Sequence, residues 1–85
     1  MFYVYVLKSL VDNKQYIGST KDLRRRFLLH NSGDVPSTKS RKPLKLVYYK
    51  AYAAEKDARH REKNLKLRSK AFQQLKKRIV FSAAL

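Results

Sequence analysis

Two apolar runs dense in aromatic and β-branched residues, FYVYVLKSL and QYIGST, stand either side of the turn formers VDNK in the first twenty residues. Residues of these types suit a pleated, half-buried surface, and a short turn-rich break between two such runs reads as an antiparallel hairpin. Side chains alternate across a strand, and directly opposed residues point the same way. With an even number of residues in the turn, Tyr3, Tyr5, Tyr16 and Gly18 share one face of the hairpin.

The apolar period then changes. Thr20 is placed as the N-cap of a helix from Lys21 to about Asn31, Asp22 falls in its first turn where the helix dipole favours negative charge, and Gly33 follows the last periodic residue. SGDVPSTKSRKP reads as a polar, basic loop, and LKLVYYKAY as the third strand, with Pro43 at its entrance. From Ala53 onward the composition is helical, broken near Ser69, with Phe72, Leu75 and Ile79 spaced as core contacts of the last helix. The expected fold is α+β, a small three-stranded antiparallel sheet flanked by helices in the order β-β-α-β-α-α. A chain of 85 residues has room for one modest core, so residues 1–85 are expected to form a single domain whose one site serves both binding and any chemistry.

Charge narrows the function. Lys and Arg number 21 against six Asp and Glu, a net charge of +15, which points to a polyanionic partner such as nucleic acid. A disordered basic tail is disfavoured, because 44% of the residues are hydrophobic and six tyrosines and four phenylalanines are among them. There is no cysteine, and two histidines alone cannot complete a zinc site of the usual ligand count, so any metal is expected to take oxygen ligands. No apolar run approaches a membrane span and no signal-peptide pattern opens the chain; no membrane partner is expected, and the expected location is the cytoplasm, beside the nucleoid in a bacterium.

Three features look out of place for a plain fold. On a helical wheel Arg24 and Arg25 point away from the Leu23 and Phe27 stripe, whereas Arg26 and His30, one turn apart, border it. There a guanidinium fork can meet a phosphate in a partly desolvated setting, or it can simply snorkel over the core edge beside a packing histidine. In AAEKDARHREKNLKL, Ala54, Ala58 and Leu65 form a narrow apolar stripe, and Glu62 falls on it. A core-facing carboxylate is costly unless it is ion-paired or coordinates a cation, and the spacing does not choose between the two. Lastly, Tyr5 and Tyr16 stand on facing strands, an arrangement that ordinarily means cross-strand packing.

Tyr3 to Tyr5 (YVY), Tyr16 to Gly18 (YIG), Asp22 to His30 (DLRRRFLLH) and Ala58 to Glu62 (AxxxE) together resemble the GIY-YIG nuclease superfamily, in particular its small stand-alone bacterial members. The likeness runs from Phe2 to about Lys66. The resemblance implies that Tyr5, Tyr16, Arg26, His30 and Glu62 are the catalytic set, that Gly18 lets backbone approach the site, and that Glu62 binds a metal. Tyr3 departs from the pattern, standing where the superfamily name has glycine.

The activity so implied is endonucleolytic hydrolysis of phosphodiester bonds in nucleic acid, DNA ahead of RNA, with a single divalent ion, Mg²⁺ or Mn²⁺. Arg26 would stabilise charge on the phosphoryl oxygens, and Tyr16 would position or deprotonate water, helped by cationic surroundings. Lys21, Arg24, Arg25, Lys39, Arg41 and Lys42 are the expected phosphate contacts, basic and set on the exposed helix face or in the following loop. Such contacts carry no sequence information, so low specificity, single-stranded or branched substrates, or help from a protein partner or a second copy is expected. The apolar IVFSAAL is assigned first to closing the core and otherwise to such a partner. Two alternatives stand beside the nuclease: a non-catalytic basic nucleic-acid-binding module of the same fold, and an RNA-binding or ribosome-associated protein using exposed aromatics.

Overall fold

In the computed structural model, which describes residues 1–84 apart from the Ser69 side chain, the hairpin pairs β1 (Phe2–Ser9) with β2 (Gln15–Thr20). Tyr3 faces Thr20, Tyr5 faces Gly18 and Leu7 faces Tyr16, so the expected face carries Tyr3, Tyr5, Tyr16 and Gly18. The turn between paired Ser9 and Lys14 holds the four residues from Leu10 to Asn13, with Asn13 in the left-handed region that asparagine tolerates. Ser9 Oγ accepts from the Val11 amide, and Asp12 Oδ1 from the Lys14 amide, which fixes the turn.

The third strand, β3 (Leu44–Tyr52), pairs antiparallel with β1 and gives the order β2-β1-β3. Val6 faces Tyr48 but Leu7 faces Leu46, so Val47 is the extra residue of a bulge. Beyond the bulge toward the C-terminus, Tyr49 shares the face of Tyr5.

Helices cover both faces of the sheet. On one face Val4, Val6, Ile17 and Val47 meet Ala58 and Leu65 of α2 (Glu55–Leu67) and Leu75 of α3 (Ser69–Arg78). Phe72 and Ile79 pack on the same cluster, as their spacing predicts. On the other face Tyr5, Leu7 and Leu44 meet Leu23 and Phe27 of α1 (Leu23–Ser32).

Four local details differ from the sequence reading. The cap of α1 is Asp22, whose side chain accepts from the Arg25 amide at 3.1 Å, and the helix begins at Leu23 rather than Lys21. Thr20 closes β2 instead, its Oγ1 accepting from the Asp22 amide. The stretch read as a polar, basic loop contains a 3₁₀ turn, Lys39–Arg41, and buries Val35 and Thr38. Ala54 is the exposed N-cap of α2 and not part of its buried stripe. Finally, a short α4 (Val80–Ala84) follows α3; Ile79 packs on the core, but Val80 and Phe81 are exposed, so IVFSAAL closes the core only at its start, and Leu85 lies outside the described residues.

Candidate active site

The site is assembled around the tyrosine face of the hairpin. Tyr5 is buried in mid-strand because α1 packs across it, and Gly18, its partner on β2, has no side chain to keep the phenol ring off the backbone. A Cβ at position 18 would lie 2.6 Å from Tyr5 Cζ, so only glycine fits.

One turn of α1 carries Arg26 and His30 to the same place. His30 is completely buried, with Nε2 2.9 Å from Tyr5 Oη and Nδ1 2.7 Å from Thr38 Oγ1. The Thr38 hydroxyl has a single proton, and its other acceptor, the Val35 carbonyl, is 3.5 Å away. Assigning the hydroxyl proton to the nearer Nδ1 makes Nε2 the protonated nitrogen, which then donates to Tyr5 Oη. Burial, reinforced by the Arg26 charge, pulls the His30 pKa below its ordinary value, so the ring is neutral at pH 7. Burial also pushes the Tyr5 phenol up to about 12, against a lowering hydrogen bond from Arg26 and with raising contributions from Tyr16 and Glu62. Tyr5 therefore stays protonated at neutral pH.

Tyr16 completes the aromatic cluster, its ring 5.0 Å from that of His30 and 6.4 Å from that of Tyr5. It is only half-buried, because β2 is an edge strand. Glu62 comes to this edge from the other face of the sheet. Its Oε1 accepts from Ser19 Oγ at 2.6 Å and its Oε2 from Lys66 Nζ at 2.7 Å, and the same Lys66 nitrogen lies 5.9 Å from the Tyr16 ring. Burial alone would raise the carboxyl pKa, but the hydrogen bonds from Lys66 and Ser19 and the charges of Lys66 and Arg59 outweigh it and hold the carboxylate below its ordinary range.

The structure thus brings together Tyr5, Tyr16, Gly18, Arg26, His30 and Glu62. Among the basic residues expected to touch phosphate, Lys21, Arg24, Arg25, Lys39 and Lys42 are exposed. Arg41 is half-buried and turned to the hairpin, its Nε 3.5 Å from Asp12 Oδ2 and its carbonyl accepting from Ser9 Oγ. Three participants were missed in the sequence reading. Lys66 carries a readable signal, since Glu followed by Lys four residues later is the favourable order on a helix. Ser19 and Thr38 carry none, because Ser19 reaches Glu62 across 43 residues of sequence and Thr38 reaches His30 only through the fold of the loop that follows α1.

Among the described residues no group of three or more His, Cys, Asp or Glu side chains is placed to hold a metal. Glu62 alone still fits a hard divalent ion, which keeps several waters and can be held by one carboxylate together with substrate phosphate oxygens. Each carboxylate oxygen accepts one hydrogen bond and so retains a second lone pair. Among the described residues no helix is long and apolar enough to cross a membrane.

Comparison with known proteins places the chain in a family. A UPF0213 protein of Streptococcus pneumoniae serotype 4 is 43% identical over 65 residues, covering 75% of this chain and 65% of its own. A UPF0213 protein of Bacillus pumilus is 38% identical over 65 residues with the same coverage, and one of Clostridium perfringens is 39% identical over 67 residues, 78% of this chain and 71% of its own. The chain spans just under two thirds of the first two relatives. No solved structure matches it significantly. The model of the GIY-YIG catalytic domain matches residues 1–77, which takes in both tyrosine strands, the arginine helix and the glutamate helix. A match that leaves only the end of the chain outside it places the protein in the GIY-YIG catalytic domain family.

Proposed function

We propose that the protein is a metal-dependent endonuclease that hydrolyses phosphodiester bonds in DNA, with low intrinsic sequence specificity and a preference for single-stranded or branched substrates. It would work in the cytoplasm, beside the nucleoid, alone or with a protein partner. The observation that carries the reading is the meeting of a half-buried carboxylate, Glu62, with Arg26 and a tyrosine pair at one open sheet edge. A protein that only binds nucleic acid needs cations, and has no use for a carboxylate held ionised among them.

In this reading Glu62 would hold Mg²⁺ or Mn²⁺, and the ion, when bound, supplies charge neutralisation at the scissile phosphate and the leaving oxygen. Lys66 can yield its place on Glu62, because its side chain is partly exposed and an ion pair open to water is weak. Arg26 stabilises negative charge on the phosphoryl oxygens through its planar fork. Tyr16, the less buried phenol, positions or deprotonates the attacking water. Tyr5, protonated and held by His30, donates a hydrogen bond into the site. Lys21, Arg24, Arg25, Lys39 and Lys42 hold flanking phosphates, whereas Arg41 is turned to Asp12 of the hairpin and is left out of this set.

One observation favours the non-catalytic reading: Glu62 is already satisfied by Ser19 and Lys66. The two readings separate in a cleavage assay on labelled single-stranded, duplex and branched DNA with Mg²⁺, Mn²⁺ or EDTA. Metal-dependent cutting lost in Glu62→Ala, in Arg26→Ala and in Tyr16→Phe is the expected result. Binding without cutting, unchanged in Glu62→Ala, overturns the nuclease. Full single-turnover cleavage by Tyr16→Phe removes Tyr16 from the chemistry and leaves the rest.

A further inference from the structure

The proposed chemistry leaves two tyrosines on the same sheet face unused. Tyr3 and Tyr49 meet edge to face with ring centroids 6.1 Å apart, and with Phe27 and Leu46 they wall a cavity of about 450 Å³. Tyr49 is 57% exposed although it sits in mid-strand directly opposite Tyr5, which is 1% exposed. Lys21 and Arg24 rim the cavity, and neither is ion-paired among the described residues. The one carboxylate in the lining, Asp22, is turned to the Arg25 amide as the cap of α1.

The occupant follows from this chemistry. An exposed phenol offers a flat face for stacking, Phe27 and Leu46 give the ring an apolar seat, and two free cations at the rim match phosphates on either side of a base. A paired base presents no free face to such a wall, because its neighbours in the duplex already cover it. The cavity also adjoins the candidate active site: Lys21 and Asp22 line both this cavity and the neighbouring groove that contains Thr20, Arg25 and Arg26. A strand crossing the N-terminus of α1 thus reaches Arg26 on one side and Tyr49 on the other.

We infer that this cavity receives one unpaired nucleobase of the substrate, stacked on Tyr49 with its neighbouring phosphates on Lys21 and Arg24. Selection of a substrate with an unpaired nucleotide is then built into the sheet, separately from the catalytic groups. The inference rests on the proposed function only in requiring a nucleic-acid substrate; it needs neither Glu62 nor a metal.

Binding in EDTA tests it. The probe is a short duplex with a single-nucleotide bulge of 2-aminopurine, compared with the same duplex carrying an abasic bulge, in DNA and in RNA, for wild type, Tyr49→Ala and Tyr49→Phe. Wild type is expected to bind the base-bearing bulge about 5- to 150-fold more tightly than the abasic one, the range of base–aromatic stacking, and to quench the 2-aminopurine. Tyr49→Ala is expected to level the two affinities and Tyr49→Phe to restore the difference, with the sugar that shows the larger preference identifying the substrate. Tyr49 is exposed, so these variants fold, as circular dichroism will verify. Equal wild-type affinity for the two bulges overturns the inference, and so does a preference that survives Tyr49→Ala. A bulge preference in a protein that never cuts DNA overturns the nuclease reading and leaves this one standing.

Discussion

Replacing Gly18 by alanine measures how tightly the hairpin backbone and the Tyr5 ring define the site. The added methyl would press on Tyr5 Oη and lie 2.6 Å from Cζ and 3.1 Å from Cε1, whereas relaxed carbon contacts sit at about 3.5–4.0 Å. The ring must retreat by about 1 Å. It has nowhere to go, being 1% exposed and packed between the rings of Tyr16 and His30. A shift of that size disrupts the 2.9 Å contact with His30 Nε2. Overpacking costs about 1–3 kcal/mol and a lost buried hydrogen bond about 1 kcal/mol, offset by about 0.4–1 kcal/mol from stiffening the unfolded chain. The net of about 1–3 kcal/mol lowers Tm by about 5 to 20 °C in a domain of this size. Thermal unfolding followed by circular dichroism reads it directly. Tyr5→Phe removes the most crowded atom, so the double variant Gly18→Ala/Tyr5→Phe is expected to lose less than the sum of the single losses. A Gly18→Ala protein that melts within about 1 °C of wild type, or losses that simply add, would refute the packing argument.

Thr38→Val keeps the volume but leaves His30 Nδ1 without its partner, and is expected to cost about 1–3 kcal/mol in urea unfolding, with Thr38→Ser close to wild type. Nitrogen NMR of the His30 ring should show Nε2 protonated in wild type; a protonated Nδ1 would reverse the assigned direction of the Thr38 hydrogen bond. His30 has a depressed pKa in the folded protein, so the unfolded chain binds the proton more readily and stability is lost as pH falls below about 6.5. The urea midpoint is therefore expected to fall between pH 7.5 and 5.0, above the window in which Glu62 and Asp12 protonate, and to fall less in His30→Gln. Gly33 caps α1 at φ 83°, its amide donating to the His30 and Leu29 carbonyls; Gly33→Ala is expected to cost about 1 kcal/mol, and an unchanged urea midpoint would contradict that.

The cap of α1 shows where the sequence underdetermines local structure. Thr20 and Asp22 are both good caps, and the first turn tolerates an acid, so the two registers differ by only a few tenths of a kcal/mol in local terms. Pairing decides between them: Thr20 faces Tyr3 in the ladder, which keeps it extended and passes the capping role to Asp22. The helical wheel, by contrast, separated the three arginines correctly, since Arg24 and Arg25 are exposed and Arg26 is half-buried. That distinction depends only on the angle between successive side chains and on the Leu23 and Phe27 stripe, both local properties.

The same contrast explains why part of the site was legible and part was not. Glu62 stands out from the sequence because a carboxylate on an apolar stripe breaks a periodic rule, and the structure places it half-buried beside Ala58 and Leu65. Thr38 breaks no rule, since a threonine in a basic, proline-containing stretch is ordinary. Its burial arises only when the 3₁₀ turn folds that stretch back over α1 and delivers a hydroxyl to a histidine eight residues away in sequence. Net charge has the same blind spot: it counts Arg41 with the other cations, yet the fold turns that guanidinium toward Asp12 and leaves Lys21 and Arg24 on the open rim beside Tyr49. The sum of +15 therefore states that a polyanion is attracted, while the direction of a few side chains decides where it lies. If Lys21 and Arg24 supply that direction, charge reversal there should cost more nucleic-acid affinity than reversal of Lys76 and Lys77, which are likewise exposed on α3, at the same net charge and the same salt. Equal losses at the two places would show that the protein is read as a sphere of charge, and that the groove across α1 has no special part in binding.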